Sequence, residues 1–210
     1  SIPSHYNIAA STIDKKEYQH KTALIHVLEN GKTQNWSFAD IRKYSNKLAN
    51  TFDHFKVYSN ARVGIILGQR PETAISHMAC FKTGRISIPL FNLFGVEALH
   101  YRLMNSRASV VICDKTGLNK IKEIFDTLPY LKLILCIDIN KDETNILSYQ
   151  NLLERASDNY TTKTTDANDP AIIIYTSGTT GGPKGALLPH RVLLGLSLIH
   201  ISEPTRLLAI

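Results

Sequence analysis

One segment of the chain, residues 175–186, combines glycines, hydroxyl side chains and a lysine in the order Tyr-Thr-Ser-Gly-Thr-Thr-Gly-Gly-Pro-Lys-Gly-Ala. Glycine has no Cβ and readily adopts positive φ, so successive backbone N–H groups of such a loop can converge on an anion. The hydroxyl groups add side-chain donors, Lys184 adds a positive charge, and Pro183 reduces the entropy lost on ordering. The segment is therefore predicted to bind polyphosphate. The predicted contacts are Thr176, Ser177, Gly178, Thr179, Thr180, Gly181, Gly182, Pro183 and Lys184.

A Walker A loop is the first alternative, and it requires Gly, four residues and then Gly-Lys-Ser/Thr at the start of a helix. Counted from Gly178, the second glycine position is Pro183, and Gly185 replaces the hydroxyl residue that should follow the lysine. Residues 171–175 are apolar, as in a buried strand, whereas the apolar residues 185–188 are stopped by a proline. The sequence thus predicts a strand, a loop and a second strand, in which hydroxyls and amides bind phosphate more than a helix dipole does.

This segment resembles the signature loop of the adenylate-forming superfamily, which includes acyl-CoA synthetases, aryl-CoA ligases, luciferases and peptide-synthetase adenylation domains. The resemblance spans residues 5–195. Within the superfamily, the sequence looks most like short- and medium-chain acyl-CoA synthetases. It is carried further by residues 62–68, 84–90, 103–108 and 189–195.

The resemblance implies a reaction in two half-steps. A carboxylate attacks the α-phosphate of ATP and releases pyrophosphate, and the thiol of coenzyme A then displaces AMP from the acyl-adenylate. Residues 176–184 would hold the β- and γ-phosphates, with Lys184 as the leading contact. His190 is the candidate catalytic residue, because the family has a histidine near this position that faces the acyl or adenylate pocket; a histidine after a proline is also a common structural choice.

The same resemblance implies ATP with Mg²⁺ as cofactor, coenzyme A as co-substrate and a small carboxylic acid as substrate. No transition-metal site is expected, since the histidines within helical patterns lack partners at ligand spacing. Two other function classes stay open at this point. One is a Walker-like phosphotransferase or NTPase, and the other is a non-catalytic nucleotide-binding or interaction domain that retained the loop.

Further motifs of the family, including those that hold AMP and ribose and the lysine that assists adenylation, would follow residue 195. Residues 1–195 are therefore expected to be a partial N-terminal domain of a synthetase, inactive alone. Residues 196–210 depart abruptly from the family pattern and resemble translated sequencing-adapter read-through, so we expect a non-native tail. A real amphipathic helix interrupted at Pro204 is the alternative.

Composition and charge indicate the class of protein and exclude one kind of partner. The 210 residues are 43% hydrophobic and 20% charged, as in ordinary globular proteins. The net charge of +6 is dispersed without a run of about five like charges, so no nucleic-acid partner is expected.

Cys80, Cys113 and Cys136 lie far apart among apolar neighbours, which predicts buried free thiols in a reducing compartment. A cytoplasmic location without a membrane span is expected, because neither a signal pattern nor an apolar stretch of about 18 residues occurs. No pattern indicates the oligomeric state.

The elements that must position the loop begin with a hairpin. Residues 22–28 and 32–36 are predicted strands, joined at Asn30-Gly31. Ser37 with Asp40 predicts a capping box, and apolar residues at three- and four-residue spacing extend the helix that follows to Phe55.

From residue 62 the pattern alternates between strands and helices, which predicts parallel pairing with right-handed crossovers. The expected fold is α/β, the N-terminal part of the large domain of an adenylate-forming enzyme. It comprises a doubly wound, mainly parallel sheet with helices on both faces, preceded by the β-hairpin. The phosphate loop would follow a strand at its carboxyl end, where such sheets bind ligands. Predicted strands are 63–67, 86–90, 109–113, 131–138 and 171–175; predicted helices are 71–83, 95–106, 118–128 and 148–156.

Overall fold

The computed structural model describes residues 3–176 and 182–195, in which helices and strands alternate along the chain. The expected non-native tail, residues 196–210, lies outside the described residues. The helices are α1 Ile8–Ser11, α2 Phe38–His54, α3 Pro71–Thr83, α4 Val96–Ser106, α5 Lys115–Ile124 and α6 Tyr149–Arg155. The strands are β1 Thr22–Val27, β2 Thr33–Ser37, β3 Arg62–Ile66, β4 Ile86–Leu90, β5 Val110–Cys113, β6 Leu133–Cys136, β7 Ile146–Ser148, β8 Pro170–Thr176 and β9 Lys184–Pro189.

The predicted hairpin and its following helix are both confirmed. β1 and β2 pair antiparallel, and Gly31 has the positive φ, 77°, that the turn requires. At the start of α2 the Ser37 hydroxyl accepts a hydrogen bond from the Asp40 amide at 3.1 Å, and the Asp40 carboxylate accepts one from the Ser37 amide at 2.8 Å. This reciprocal cap satisfies two of the free donors at the helix start.

The main sheet has seven strands in the order β7-β6-β5-β3-β4-β8-β9. All neighbouring pairs are parallel except β8 with β9, which is antiparallel. Side chains from α2, α3 and α6 pack on one face, and those from α4 and α5 pack on the other. The predicted α/β architecture, mainly parallel with helices on both faces, is therefore confirmed.

The close approach of α4 to the sheet depends on Gly64 in the middle of β3. A Cβ on Gly64 would lie 3.0 Å from Cδ2 of Leu103, so only glycine leaves room for that leucine. Leu99 and Leu103 are both fully buried against the sheet. α4 is therefore held on the face of the sheet that also carries Tyr175, next to the predicted phosphate loop.

The structure differs from the sequence-based prediction at several elements, among them α5, α1 and β7. α5 begins at Lys115 rather than at residue 118, because the Asp114 carboxylate accepts a hydrogen bond from the Gly117 amide at 2.7 Å. It ends at Ile124 in a 3₁₀ turn rather than at residue 128. α1 and β7, of four and three residues, were not predicted since such short elements show no periodicity.

Two predictions from composition can be compared with the structure. The three cysteines are free and buried, as predicted, and Cys113 and Cys136 are neighbours on adjacent parallel strands. Within the described ranges, no helix has the length and apolar character that a membrane crossing requires.

Candidate phosphate-binding site

The predicted phosphate loop lies between two antiparallel strands. β8 ends at Thr176 and β9 begins at Lys184, and these two residues are partners in the hairpin. The two predicted strands on either side of the loop are confirmed. Lys184 begins a strand rather than a helix, so the segment lacks the helix start that defines a Walker A loop.

Thr176 and Lys184 lie on the same face of the hairpin, because side chains of cross-strand partners point to the same side. Both residues are exposed. A hydroxyl donor and an ammonium group therefore stand side by side on an accessible surface at the carboxyl end of β8. Charge-assisted hydrogen bonds to phosphate oxygens are the chemistry that this pair provides.

The opposite face of the hairpin is occupied by Tyr175 and its partner Gly185. A Cβ on Gly185 would lie 3.1 Å from Cζ of the Tyr175 ring and 3.0 Å from Cγ2 of Ile173. The composition of this segment predicts that its glycines provide backbone freedom. At Gly185 the structure shows a different reason, since this glycine lies in an extended strand and leaves space for the tyrosine ring.

Tyr175 is held against α4. Its hydroxyl lies 2.7 Å from Oδ1 of Asn105 and 3.2 Å from the carbonyl oxygen of Arg102, and these two acceptors share its single proton, with Asn105 the nearer. The Arg102 guanidinium lies over the Tyr175 ring at 5.7 Å and over the Phe94 ring at 4.2 Å. Burial raises the pKa of the Tyr175 phenol, so this side chain is a packing and hydrogen-bonding group rather than a reactive phenolate.

The far end of the loop also contacts α4. The Tyr101 hydroxyl donates to the carbonyl oxygen of Pro183 at 3.0 Å, and Gly182 lies beside the same hydroxyl. Tyr101, Arg102 and Asn105 were not identified from the sequence. Their one visible signal is the four-residue spacing of Tyr101 and Asn105, which places two polar side chains on one helix face.

Five of the predicted phosphate contacts lie outside the described residues, and their part in binding stays a prediction. The four others, Thr176, Gly182, Pro183 and Lys184, are brought together at the two ends of the loop. The five contacts outside the described ranges are Ser177, Gly178, Thr179, Thr180 and Gly181.

His190 follows β9 and is fully buried. Its Nδ1 accepts a hydrogen bond from the Ile8 amide at 3.2 Å, and its ring meets Phe81 edge-on at 5.9 Å between centroids. Burial lowers the pKa of His190 to about 4, although Asp169 opposes the shift, so the imidazole is neutral at pH 7. Nε2 has no hydrogen-bond partner among the described residues. These contacts are those of a packing residue, and a catalytic role for His190 stays a prediction.

The sequence is similar to a family of known proteins. A family model described as AMP-binding enzyme matches residues 12–206. The chain is 30% identical over 193 residues to the mitochondrial acyl-coenzyme A synthetase ACSM4 of Rattus norvegicus and covers 33% of that relative. It is 28% identical over 192 residues to the acetyl-coenzyme A synthetase of Bacillus subtilis and again covers 33% of it.

Solved structures share the fold of this chain. The anthranilate CoA ligase AuaEII, solved with anthranoyl-AMP, is 25% identical and superimposes with a TM-score of 0.81. Apo MatB from Rhodopseudomonas palustris is 26% identical, with a TM-score of 0.77. The alignments cover 90% and 93% of this chain but 36% and 37% of those proteins. The chain therefore spans about a third of the length of the relatives it matches.

Proposed function

The chain belongs to the AMP-binding enzyme family, and from this premise we propose that it supplies the phosphate loop of an ATP-dependent, AMP-forming acyl-CoA synthetase. The reaction would activate a carboxylic acid as its acyl-adenylate, release pyrophosphate and transfer the acyl group to coenzyme A. The acetyl- and acyl-CoA synthetases among its relatives support this reaction class.

The observation that carries the proposal is the pairing of Thr176 with Lys184 across the ends of the loop. As pyrophosphate departs, negative charge accumulates on its oxygens. A neighbouring ammonium group stabilises that charge more than the neutral donors of the loop do. The Thr176 hydroxyl adds a donor on the same face. Lys184 is therefore assigned the leading contact to the β- and γ-phosphates, and the loop residues between them complete the proposed set.

The remaining assignments follow the family and are part of the proposal. Mg²⁺ would accompany ATP and be held largely by the phosphates. His190 would face the acyl or adenylate pocket, although its observed contacts favour a packing role. We propose a cytoplasmic location; fractionation of cells separates this from the mitochondrial location that the rat relative's name states.

Product analysis on a full-length protein that carries this chain tests the reaction class. AMP with pyrophosphate is the expected pair of products when a carboxylic acid and ATP are supplied. ADP with phosphate would contradict the proposal and indicate a phosphotransferase or NTPase. Absence of any nucleotide product would indicate a binding domain.

Substitution of Lys184 tests the site. Lys184→Ala should lower ATP–pyrophosphate exchange by about ten- to a hundredfold, since a charge-assisted contact to phosphate contributes roughly 1.5–3 kcal/mol. The matched control is Lys141→Ala, which removes an exposed lysine distant in sequence from the loop. Equal exchange by both variants would remove Lys184 from the proposed site.

The isolated 210-residue chain provides a further test. It covers 33% of the length of its synthetase relatives, and we expect it to catalyse no ATP–pyrophosphate exchange by itself. Measurable exchange by the purified chain, abolished by Lys184→Ala, would contradict this expectation.

A further inference from the structure

α4 contacts the phosphate loop at both of its described ends. At one end, Oδ1 of Asn105 and the Arg102 carbonyl oxygen share the proton of the Tyr175 hydroxyl. At the other end, the Tyr101 hydroxyl donates to the carbonyl oxygen of Pro183. From these contacts we infer that Tyr101 and Asn105 are positioning residues for the loop, which hold its two ends at a fixed separation. The inference rests on the proposed function, because it assigns these residues to the handling of phosphate by that same loop.

The geometry of the two elements explains why one helix can reach both ends. Tyr101 and Asn105 are four residues apart, so they lie on the same face of α4, one turn apart. A helical turn advances about 5.4 Å, and neighbouring strands are separated by about 4.8 Å. Successive turns of α4 therefore meet successive strands, with Asn105 at β8 and Tyr101 at the start of β9.

α4 is well placed to act as a fixed support, because its opposite side is buried in the core. Leu99 and Leu103 have essentially no exposed surface, and Gly64 allows Leu103 to approach the sheet closely. The Arg102 guanidinium adds a second contact to the Tyr175 ring. A movement of either loop end relative to the sheet must therefore break contacts to a helix that is itself held in place.

Fixing the loop ends has a consequence for ligand binding. A loop that is already restrained loses less conformational entropy when its donors close on phosphate. The restraint is therefore expected to act on the affinity for the nucleotide. Loss of one supporting hydrogen bond should therefore raise KM for ATP about three- to tenfold, with a smaller change in kcat.

Two measurements test the inference with Tyr101→Phe and Asn105→Ala. The matched control is Tyr58→Phe, which removes a hydroxyl from a tyrosine that is 54% exposed on another part of the surface. In the 210-residue chain, amide hydrogen exchange at Thr176 and Lys184 should accelerate at least about threefold in both α4 variants, with exchange in β3 unchanged. In a full-length protein, KM for ATP should rise in both variants and stay unchanged in the control.

The outcomes separate this inference from the proposed function. Unchanged exchange at the loop ends overturns the positioning role, whatever reaction the protein catalyses, since hydrogen exchange requires no nucleotide. Faster exchange with unchanged KM for ATP overturns it as well, because the restraint would then have no effect on binding. If the products are ADP and phosphate, the proposed function fails, whereas faster exchange with a raised KM for ATP still supports the positioning role.

Discussion

Nδ1 of His190 accepts a hydrogen bond from the backbone amide of Ile8, although 182 positions separate the two residues. Ile8 is the first residue of α1, and His190 follows the last strand of the sheet. The contact therefore ties the beginning of the described chain to its end. Ala167 adds a second link between the same two regions, since its amide donates to the Ser4 carbonyl at 2.9 Å and its carbonyl accepts from the Arg191 amide at 2.9 Å.

Replacement of His190 by alanine should destabilise the fold. The variant loses the packing of the ring against Phe81 and leaves the Ile8 amide buried without its acceptor. We expect the free energy of unfolding in urea to fall by about 2–4 kcal/mol. His20→Ala, at an exposed position, is the control and should change it by less than about 0.5 kcal/mol.

His190→Asn separates a packing role from a catalytic one. Asparagine retains an acceptor close to the position of Nδ1 and should recover part of the lost stability. If packing is the whole role, this variant in a full-length protein should retain kcat within about tenfold. A folded His190→Asn variant whose kcat falls by more than about a hundredfold would instead support general acid–base catalysis.

The pH dependence of stability should depend on the fully buried His190 and the partly buried His77. Burial lowers the pKa of both His77 and His190 to about 4, from the value of 6.5 for an exposed imidazole. Between pH 6.5 and pH 4 the unfolded chain therefore binds more protons than the folded one. Stability is fully present above pH 6.5 and falls as the pH drops toward 4, with a slope of at most about 1.4 kcal/mol per pH unit for each histidine.

Comparison with a variant isolates this contribution from that of the carboxylates. His77→Gln should be closer to wild type in stability at pH 5 than at pH 7, because it removes a group whose protonation opposes folding. Urea unfolding at several pH values measures the difference. A difference between the two proteins that is constant from pH 7 to pH 4 would show that His77 does not titrate in this window.

The parts of the fold that were predicted from the sequence are those that local physics determines. Ser37 and Asp40 form a cap within four residues, and Pro183 with Gly185 excluded a Walker A loop by spacing alone. The contact of Tyr101 with Pro183 joins residues that are 82 positions apart. It depends on how α4 crosses the sheet, and no local pattern contains that information.

The buried Lys82 offers a test of a long-range ion pair. Its ammonium group has almost no exposed surface, and it donates to the Asp14 carboxylate and, at 3.0 Å, to the Thr162 hydroxyl. Burial lowers the pKa of Lys82, while the hydrogen bond to Asp14 opposes that shift. Lys82→Met should reduce the free energy of unfolding by about 3–5 kcal/mol, because it leaves a partly buried carboxylate without its main partner.

A double variant checks that cause. Asp14→Leu combined with Lys82→Met removes both charges, so it should be less destabilised than the sum of the two single variants. Lys56→Met, at an exposed position, controls for the change of side chain. Additive effects in the double variant would show that the two residues contribute independently.

Gly185→Ala tests the fit of the hairpin against α4. Alanine in a strand normally gains about 0.5–1 kcal/mol over glycine, and the control Gly68→Ala, where a Cβ meets nothing closer than 3.7 Å, should show little cost. At Gly185 the new Cβ would lie 3.1 Å from the Tyr175 ring, which Asn105 and Arg102 prevent from moving aside. We expect a net loss of about 1–3 kcal/mol in the free energy of unfolding.

Tyr175→Phe tests whether the Tyr175 hydrogen bond to α4 is what makes Gly185→Ala unfavourable. Removal of the hydroxyl frees the ring from Asn105 without changing its size, so the ring can shift away from position 185. The cost of Gly185→Ala should then be smaller in the Tyr175→Phe background than in wild type, by about 0.5–1 kcal/mol in a double-mutant cycle. An equal cost in both backgrounds would assign the resistance to Ile173, whose Cγ2 would lie 3.0 Å from the same Cβ, rather than to the contact between Tyr175 and α4.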